Sequence, residues 1–118
     1  GYQVSNNSMY ADSGRGYTVA GEIKPDFAAP AVSVYGPGLR QNYVTYTGTS
    51  AAAAVTAGAV AQIMQWALVQ QNDPVMSNAA IKNMLIRGAK RSEDRGYPNR
   101  EWGYGALDVY QAFEYLRL

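Results

Sequence analysis

The sequence predicts an α/β fold built from short strands or a hairpin and about three helices, the first of them buried. Turn-forming residues crowd the first third of the 118-residue chain and separate short β-branched and aromatic segments. A long apolar stretch without proline follows, and two amphipathic stretches come after it. The length is that of a single domain.

A hairpin is predicted in the first third of the chain. The segments Ala31–Tyr35 and Asn42–Thr47 are rich in β-branched and aromatic residues, as strands are. The intervening Gly36-Pro37-Gly38 has the composition of a turn. The two segments therefore pair as a hairpin or flank a tight loop.

The first helix is predicted from Ser50 to about Gln71, where Asn72-Asp73-Pro74 ends it. Apolar residues lie on all of its sides, which is typical of a buried helix. The other predicted elements barely cover such a helix, so a partner subunit or the missing part of a longer chain is expected to cover the rest. A membrane-spanning helix over Ala51–Val69 is the alternative, but alanine contributes little to membrane insertion.

Two amphipathic helices are predicted after it. Ser77 is the expected N-cap of a helix over residues 77–88, which Gly88 ends and whose apolar face holds Ala80, Ile81, Met84 and Leu85. The last helix is predicted over residues 106–117, with Leu107, Tyr110, Phe113 and Leu116 on its apolar face. The charged stretch between these helices is predicted as an exposed loop.

Composition excludes several classes of function. Ten Lys and Arg against nine Asp and Glu give a net charge of +1, which offers no electrostatic attraction for nucleic acid or an anionic membrane. No Cys is present, so neither a disulfide nor a thiolate metal site is expected. No His is present either, so a hydrolase that uses imidazole as general base needs that base from elsewhere. No cofactor or metal is expected.

The positions of the acidic residues do not require a cation site or a catalytic acid to explain them. Glu93, Asp94 and Glu101 form a candidate cation site, but arginines interleave with them, which favours a solvated loop. Among the aspartates considered as acids of a catalytic triad, Asp26 lies in a proline-flanked loop and is expected to cap or pair locally. Asp73 and Asp94 are the other two aspartates considered as triad acids.

The clearest chemistry lies in Gly48-Thr49-Ser50, which leads a glycine-ended strand into the alanine-rich helix. The first turn of a helix offers unpaired N–H groups and the positive end of the dipole, which can stabilise an oxyanion beside a serine hydroxyl. Ser50 is therefore a candidate nucleophile. The alternative is that Ser50 or Thr49 is only an N-cap, a role that the motif taken alone favours.

Four segments, in the same order, resemble the catalytic domain of the subtilisin-like serine proteases, or subtilases. The segments are Ser13–Thr18 with Gly21–Asp26, then Phe27–Val32, then Gly48–Gly58, and finally Trp102–Val109. They are similar to the family patterns S-x-R-G with G-x-x-K-P-D, x-x-A-P-G-V, G-T-S-x-A-x-P-x-x-A-G and G-x-G-x-(V/L)-(N/D)-(V/A). The resemblance implies the C-terminal portion of a parallel-sheet catalytic domain over residues 1–118. Residues 1–48 would be its strand and loop part, about 50–71 the nucleophile helix, and about 77–88 and 106–117 two further helices.

The resemblance implies that Ser50 is the nucleophile, that its backbone N–H helps to bind the oxyanion, and that the Thr49 hydroxyl supports it. The family's catalytic Asp and His and its oxyanion-hole Asn lie earlier in the chain, and no residue here corresponds to them. Ala31 stands where Gly is usual, and Ala54 where Pro is frequent. The alanine-rich helix resembles the corresponding helix of a bacterial, clostridial-type branch of the family, which includes germination proteases.

The leading hypothesis is a serine endopeptidase fragment that is inactive alone and acts on peptide or protein substrates in its full-length parent. Its expected partner is the missing N-terminal part of the catalytic domain, whereas nucleic acid and membranes are not expected partners. The isolated fragment is expected to self-associate through exposed apolar surface. The alternatives are a catalytically dead, subtilase-like binding or regulatory protein and an independent small interaction domain in which Ser50 is a mere cap.

Overall fold

The computed structural model describes residues 1–117, and Leu118, the last residue of the predicted fragment, lies outside the described residues. Two short antiparallel ribbons are followed by three α-helices, as the predicted fold class requires. Parallel strand contacts within residues 1–117 are limited to single bridges. In chain order the elements are β1 (Tyr2–Gln3), β2 (Ser8–Met9), β3 (Val34–Pro37), β4 (Tyr43–Tyr46), α1 (Thr49–Met64), α2 (Asn78–Gly88) and α3 (Val109–Glu114).

The predicted hairpin is present, and its turn lies further along the chain than expected. β3 and β4 pair antiparallel along their whole length. Gly36 and Pro37 belong to β3 rather than to the turn. The turn is closed instead by a 2.7 Å hydrogen bond from the Gly38 N–H to the Asn42 carbonyl. The β-forming segments thus fixed the pairing, whereas the glycine-proline signal misplaced the turn.

The helix α1 continues past Met64 into a wider, π-helical turn over Gln65–Val69. Its buried residues lie on one side and are Ala51, Ala52, Ala59 and Ile63. The predicted burial of this helix therefore holds for one side only within the part of the chain that the structure describes. The other side, which includes Ala57 and Ala61, is exposed. The stretch Thr49–Val69 has the length and hydropathy of a membrane span, a test that core helices also pass.

The helix α2 has the predicted cap, whereas α3 begins later than predicted. The Ser77 hydroxyl accepts a 3.2 Å hydrogen bond from the Ala80 N–H at the start of α2. The cap of α3 is Asp108, whose carboxylate accepts a 2.9 Å hydrogen bond from the Gln111 N–H. The helix cannot start at Ala106, because that residue exchanges backbone hydrogen bonds with Lys90 in an extended bridge.

The buried side of α3 also differs from the prediction. Ala112 is fully buried, whereas Tyr110 is 70% exposed and Leu116 is 46% exposed. Ala112 faces Gly88 at the end of α2, and a Cβ on that glycine would lie 2.5 Å from the Cα of Ala112. The missing side chain of Gly88 lets the two helices approach closely, so a small residue of α3 faces the core. Of the predicted face, Leu107 and Phe113 pack against the core.

Three apolar clusters hold these elements together. The largest joins the three helices and consists of Ile63, Ile81, Met84, Leu85 and Ala112. A second joins the loop segments through Ala28, Trp102 and Ala106. The third lies beneath the start of α1 and consists of Ala29, Ala31 and Ala52. The third cluster fixes the start of α1 on the loop that precedes β3.

The two tryptophans of the chain lie in different regions of the fold. The Trp66 ring packs edge-on against Phe113 at 5.8 Å, beside the helical cluster. The Trp102 ring lies 5.1 Å from the Tyr2 ring, and the Arg95 guanidinium lies 4.4 Å from its centroid. Each indole thus reports on one region of the molecule.

Candidate active site

Ser50 is the second residue of α1 and is exposed. The N-cap of the helix is Gly48, and no side chain caps this end. Thr49 and Ser50 lie inside the helix, so the interpretation of either one as an N-cap is wrong. The Ser50 hydroxyl makes no hydrogen bond with any residue that the structure describes. Its presence is therefore not explained by the local stability of the helix.

The backbone around Ser50 offers donors for an anion. The Ala51 N–H is already used, since it donates a 3.1 Å hydrogen bond to the Gly48 carbonyl. The N–H groups of Thr49 and Ser50 donate to no group within residues 1–117. Unpaired first-turn donors, together with the positive end of the helix dipole, favour negative charge at this point. Donors of this kind can stabilise a carbonyl oxygen that becomes negatively charged when a neighbouring hydroxyl attacks its carbon.

The turn that presents Ser50 depends on Gly48. Its backbone has φ 143° and ψ 166°, a region that is essentially restricted to glycine. The Gly48 N–H donates a 2.7 Å hydrogen bond to the carbonyl of Ala31, which is fully buried. Ala31 stands where the subtilase pattern has glycine, and its methyl group packs with Ala29 and Ala52. This departure from the pattern therefore fits the packing beneath α1.

A second contact joins the same two segments and was missed by the sequence analysis. The Ser33 N–H donates a 2.9 Å hydrogen bond to Oγ1 of Thr47, the residue before Gly48. Ser33 itself has φ 51°, in the left-handed region. The predicted hairpin brings these two residues close together, next to the pair Val34 and Tyr46, but its pattern does not indicate a bond between this N–H and this hydroxyl.

Asp26 forms ion pairs with two lysines, which agrees with the expectation that it pairs locally. Its carboxylate lies 2.9 Å from the Lys24 ammonium and 3.1 Å from that of Lys82 on α2. Partial burial acts to raise the pKa of Asp26, but the hydrogen bonds and charges of the two lysines outweigh burial and lower it. Asp26 is therefore ionised at neutral pH and bridges the loop to α2.

The acidic residues of the loop are engaged with nearby groups. Glu101 forms a 3.1 Å ion pair with Arg15, and Asp94 accepts a hydrogen bond from the Ser92 hydroxyl. Among residues 1–117, no group of three or more His, Cys, Asp or Glu side chains is placed to hold a metal ion. The described side chains of Glu93, Asp94 and Glu101 thus do not form a group that could hold a metal ion.

Taken together, the fold and the strand–glycine–helix turn define a segment of a serine protease domain. The chain belongs to the subtilase family, whose model matches residues 1–105. Within that family it is similar to the membrane-bound transcription factor site-1 protease of mouse, with 33% identity over 96 residues that make up 81% of this chain. The corresponding human protein has the same identity over the same length. The subtilisin-like protease SBT6.1 of Arabidopsis thaliana is 28% identical over 98 residues.

A solved structure shows the same fold. The CspB protease of Clostridium perfringens superposes with a TM-score of 0.92 at 36% sequence identity, over 98% of this chain. The chain spans 25% of that protease and 9% of the mouse and human relatives. The match therefore covers one part of much longer relatives.

Proposed function

We propose that this chain carries the nucleophile of a subtilisin-like serine endopeptidase and that Ser50 is that nucleophile. One observation carries the proposal: Ser50 is an exposed, unbonded serine at the start of α1, in a subtilase chain. A capping serine would bond its own helix, as Ser77 does at α2. The free hydroxyl of Ser50 fits attack on a peptide carbonyl instead.

The proposed reaction is peptide-bond hydrolysis through an acyl-enzyme. The Ser50 Oγ attacks the carbonyl carbon while a histidine takes its proton, and an aspartate orients that histidine. The Ser50 backbone N–H donates to the developing oxyanion, with the Thr49 hydroxyl in support. The chain contains no His, so the general base comes from outside these 118 residues. The 118 residues alone are accordingly expected to hydrolyse no peptide.

The test is active-site labelling of the full-length protein that contains this chain. A fluorophosphonate probe should label the wild type, and Ser50→Ala should abolish the labelling. The matched control is Ser77→Ala, which also removes a hydroxyl at a helix N-terminus. This control should label like the wild type, although loss of the cap costs about 1 kcal/mol of stability.

The outcomes separate the proposal from its alternatives. Equal labelling of wild type and Ser50→Ala would show that another residue is the nucleophile. A folded wild type that takes no label would favour the catalytically dead binding or regulatory protein instead. A stable, monomeric 118-residue chain with a cooperative melt would support the independent interaction domain.

A further inference from the structure

The direction in which Ser50 points depends on the backbone conformation of Gly48. Gly48 lies two residues before Ser50, and a glycine has no Cβ that would limit its backbone dihedral angles. A rotation at this position would swing the start of α1 relative to the segment before β3. A nucleophile must keep its geometry closely, because a displacement of about 1 Å can cost on the order of a hundredfold in rate. The turn therefore needs contacts that restrain Gly48.

Two adjacent hydrogen bonds supply this restraint. One is the 2.7 Å bond from the Gly48 N–H to the Ala31 carbonyl, and the other is the 2.9 Å bond from the Ser33 N–H to the Thr47 Oγ1. Both lead to the same short segment, which Ala31 anchors in the cluster beneath α1. The first bond involves only the backbone. The second depends on the side chain of Thr47, so it can be removed by substitution.

The Thr47 bond also restrains its donor. Ser33 is a non-glycine residue at φ 51°, a conformation that costs energy and persists when neighbouring contacts hold it. The hydroxyl of Thr47 satisfies the N–H of that residue. Loss of the hydroxyl would release both the left-handed turn at Ser33 and one side of the Gly48 connection. The two effects converge on the start of α1.

We infer that Thr47 is a positioning residue, whose hydroxyl holds the Gly48 turn so that Ser50 is aimed for attack. This inference rests on the proposed function of Ser50 as nucleophile. Thr47 acts through the backbone and need not touch the substrate. Its loss should therefore slow the chemical step while leaving reversible probe binding unchanged.

The experiment compares three variants of the full-length protein. Thr47→Val keeps the shape and removes the hydroxyl, whereas Thr47→Ser keeps the hydroxyl and removes a methyl group. Thr45→Val is the matched control, because Thr45 lies on β4 and its hydroxyl makes no hydrogen bond within the described residues. The maximal rate of fluorophosphonate inactivation and the dissociation constant of the reversible probe complex are measured separately. Hydrogen exchange of the Ser33 amide is measured in parallel.

Thr47→Val should lower the maximal inactivation rate about tenfold without a change in probe affinity, as expected for loss of alignment. Thr47→Ser and Thr45→Val should both stay close to the wild-type rate. Exchange of the Ser33 amide should accelerate in Thr47→Val alone.

Faster Ser33 exchange in Thr47→Val with an unchanged inactivation rate would overturn the inference, since the bond would then exist without aligning Ser50. An equally slow Thr47→Ser would overturn it as well, because the hydroxyl would not be the cause. If Ser50→Ala labels as well as the wild type, the proposed nucleophile fails first, and the role of Thr47 fails with it.

Discussion

Gly48 is the residue on which the geometry of the candidate site depends most directly. Its φ of 143° is strained for any residue with a Cβ, although a Cβ there would make only an ordinary contact, 4.0 Å from the Ser50 N. We predict that Gly48→Ala destabilises the protein by about 1–3 kcal/mol through backbone strain alone. It should also slow labelling of Ser50. Thermal unfolding and probe labelling of the full-length protein measure the two effects.

The control for this prediction is Gly96→Ala. A Cβ at Gly96 would likewise meet no clash, and the φ of Gly96 lies outside the strained positive range. The substitution should change stability by no more than about 0.5 kcal/mol. A Gly48→Ala variant as stable as Gly96→Ala would show that the turn adopts another conformation in solution.

Residues of the site differ in how far the sequence could predict them. Ser50 and Gly48 are adjacent to a helix start, so a local pattern of three residues indicates them. Ser33 and Thr47 lie in the two segments that the sequence predicts as a hairpin, so their proximity follows from that pairing, whereas the hydrogen bond between them does not. The bond depends on the exact register of the hairpin and on the left-handed backbone of Ser33, which residue patterns do not indicate.

At the scale of elements, the crossing of α2 and α3 is set by Gly88. A Cβ there would lie 2.5 Å from both the Cα and the N of Ala112. We predict that Gly88→Ala destabilises the protein by about 1–3 kcal/mol, because the helices must move apart. Asn83→Ala, on the exposed side of the same helix, is the control and should be neutral or slightly stabilising through helix propensity. Thermal unfolding measures both.

A double variant tests the cause. Ala112→Gly should fail to rescue Gly88→Ala, because two of the three nearest atoms belong to the backbone of α3 rather than to its side chain. Full rescue would mean that the side chain of Ala112 alone limits the approach of the two helices.

The elements that the sequence predicted well are those with local signals. Ser77 caps α2 as the sequence indicates, and the β-forming segments pair as a hairpin. The start and the buried side of α3 were predicted wrongly. Tertiary contacts decide both. Ala106 is held in a bridge to Lys90, so the helix starts after it. The close approach of α3 to Gly88 leaves room only for a small side chain, which Ala112 supplies.

At the scale of the whole molecule, the described residues are less compact than is usual for a domain of this length. Their radius of gyration is 15.1 Å, above the value of about 13.5 Å typical of a compact domain of this length. One side of α1 lies uncovered, although its sequence is apolar all round. The sequence indicated this need for cover, because it offers too few other apolar faces to enclose α1.

The uncovered side of α1 leads to opposite predictions for the isolated chain and the full protein. Ala61→Lys adds a charge to the exposed apolar side, three turns after Ser50. In the isolated 118-residue chain it should reduce concentration-dependent association, measured by analytical ultracentrifugation. In the full-length protein the same change should lower the melting temperature, because burial of an unpaired ammonium costs several kcal/mol.

The control is Gln62→Lys, at a neighbouring exposed position of α1 that is already polar. It should have little effect in either setting. An Ala61→Lys variant that melts like the wild-type full-length protein would show that this side of α1 remains in solvent there.

The separation of the two indoles makes the chain suitable for optical spectroscopy. Trp66 senses the packing of α1 against α3, and Trp102 senses the loop region beside Arg95. Replacing either with phenylalanine leaves a single tryptophan in a known environment, and its emission can be excited selectively over that of the ten tyrosines. Emission spectra recorded during unfolding would then follow the helical half and the loop half independently, without an added dye.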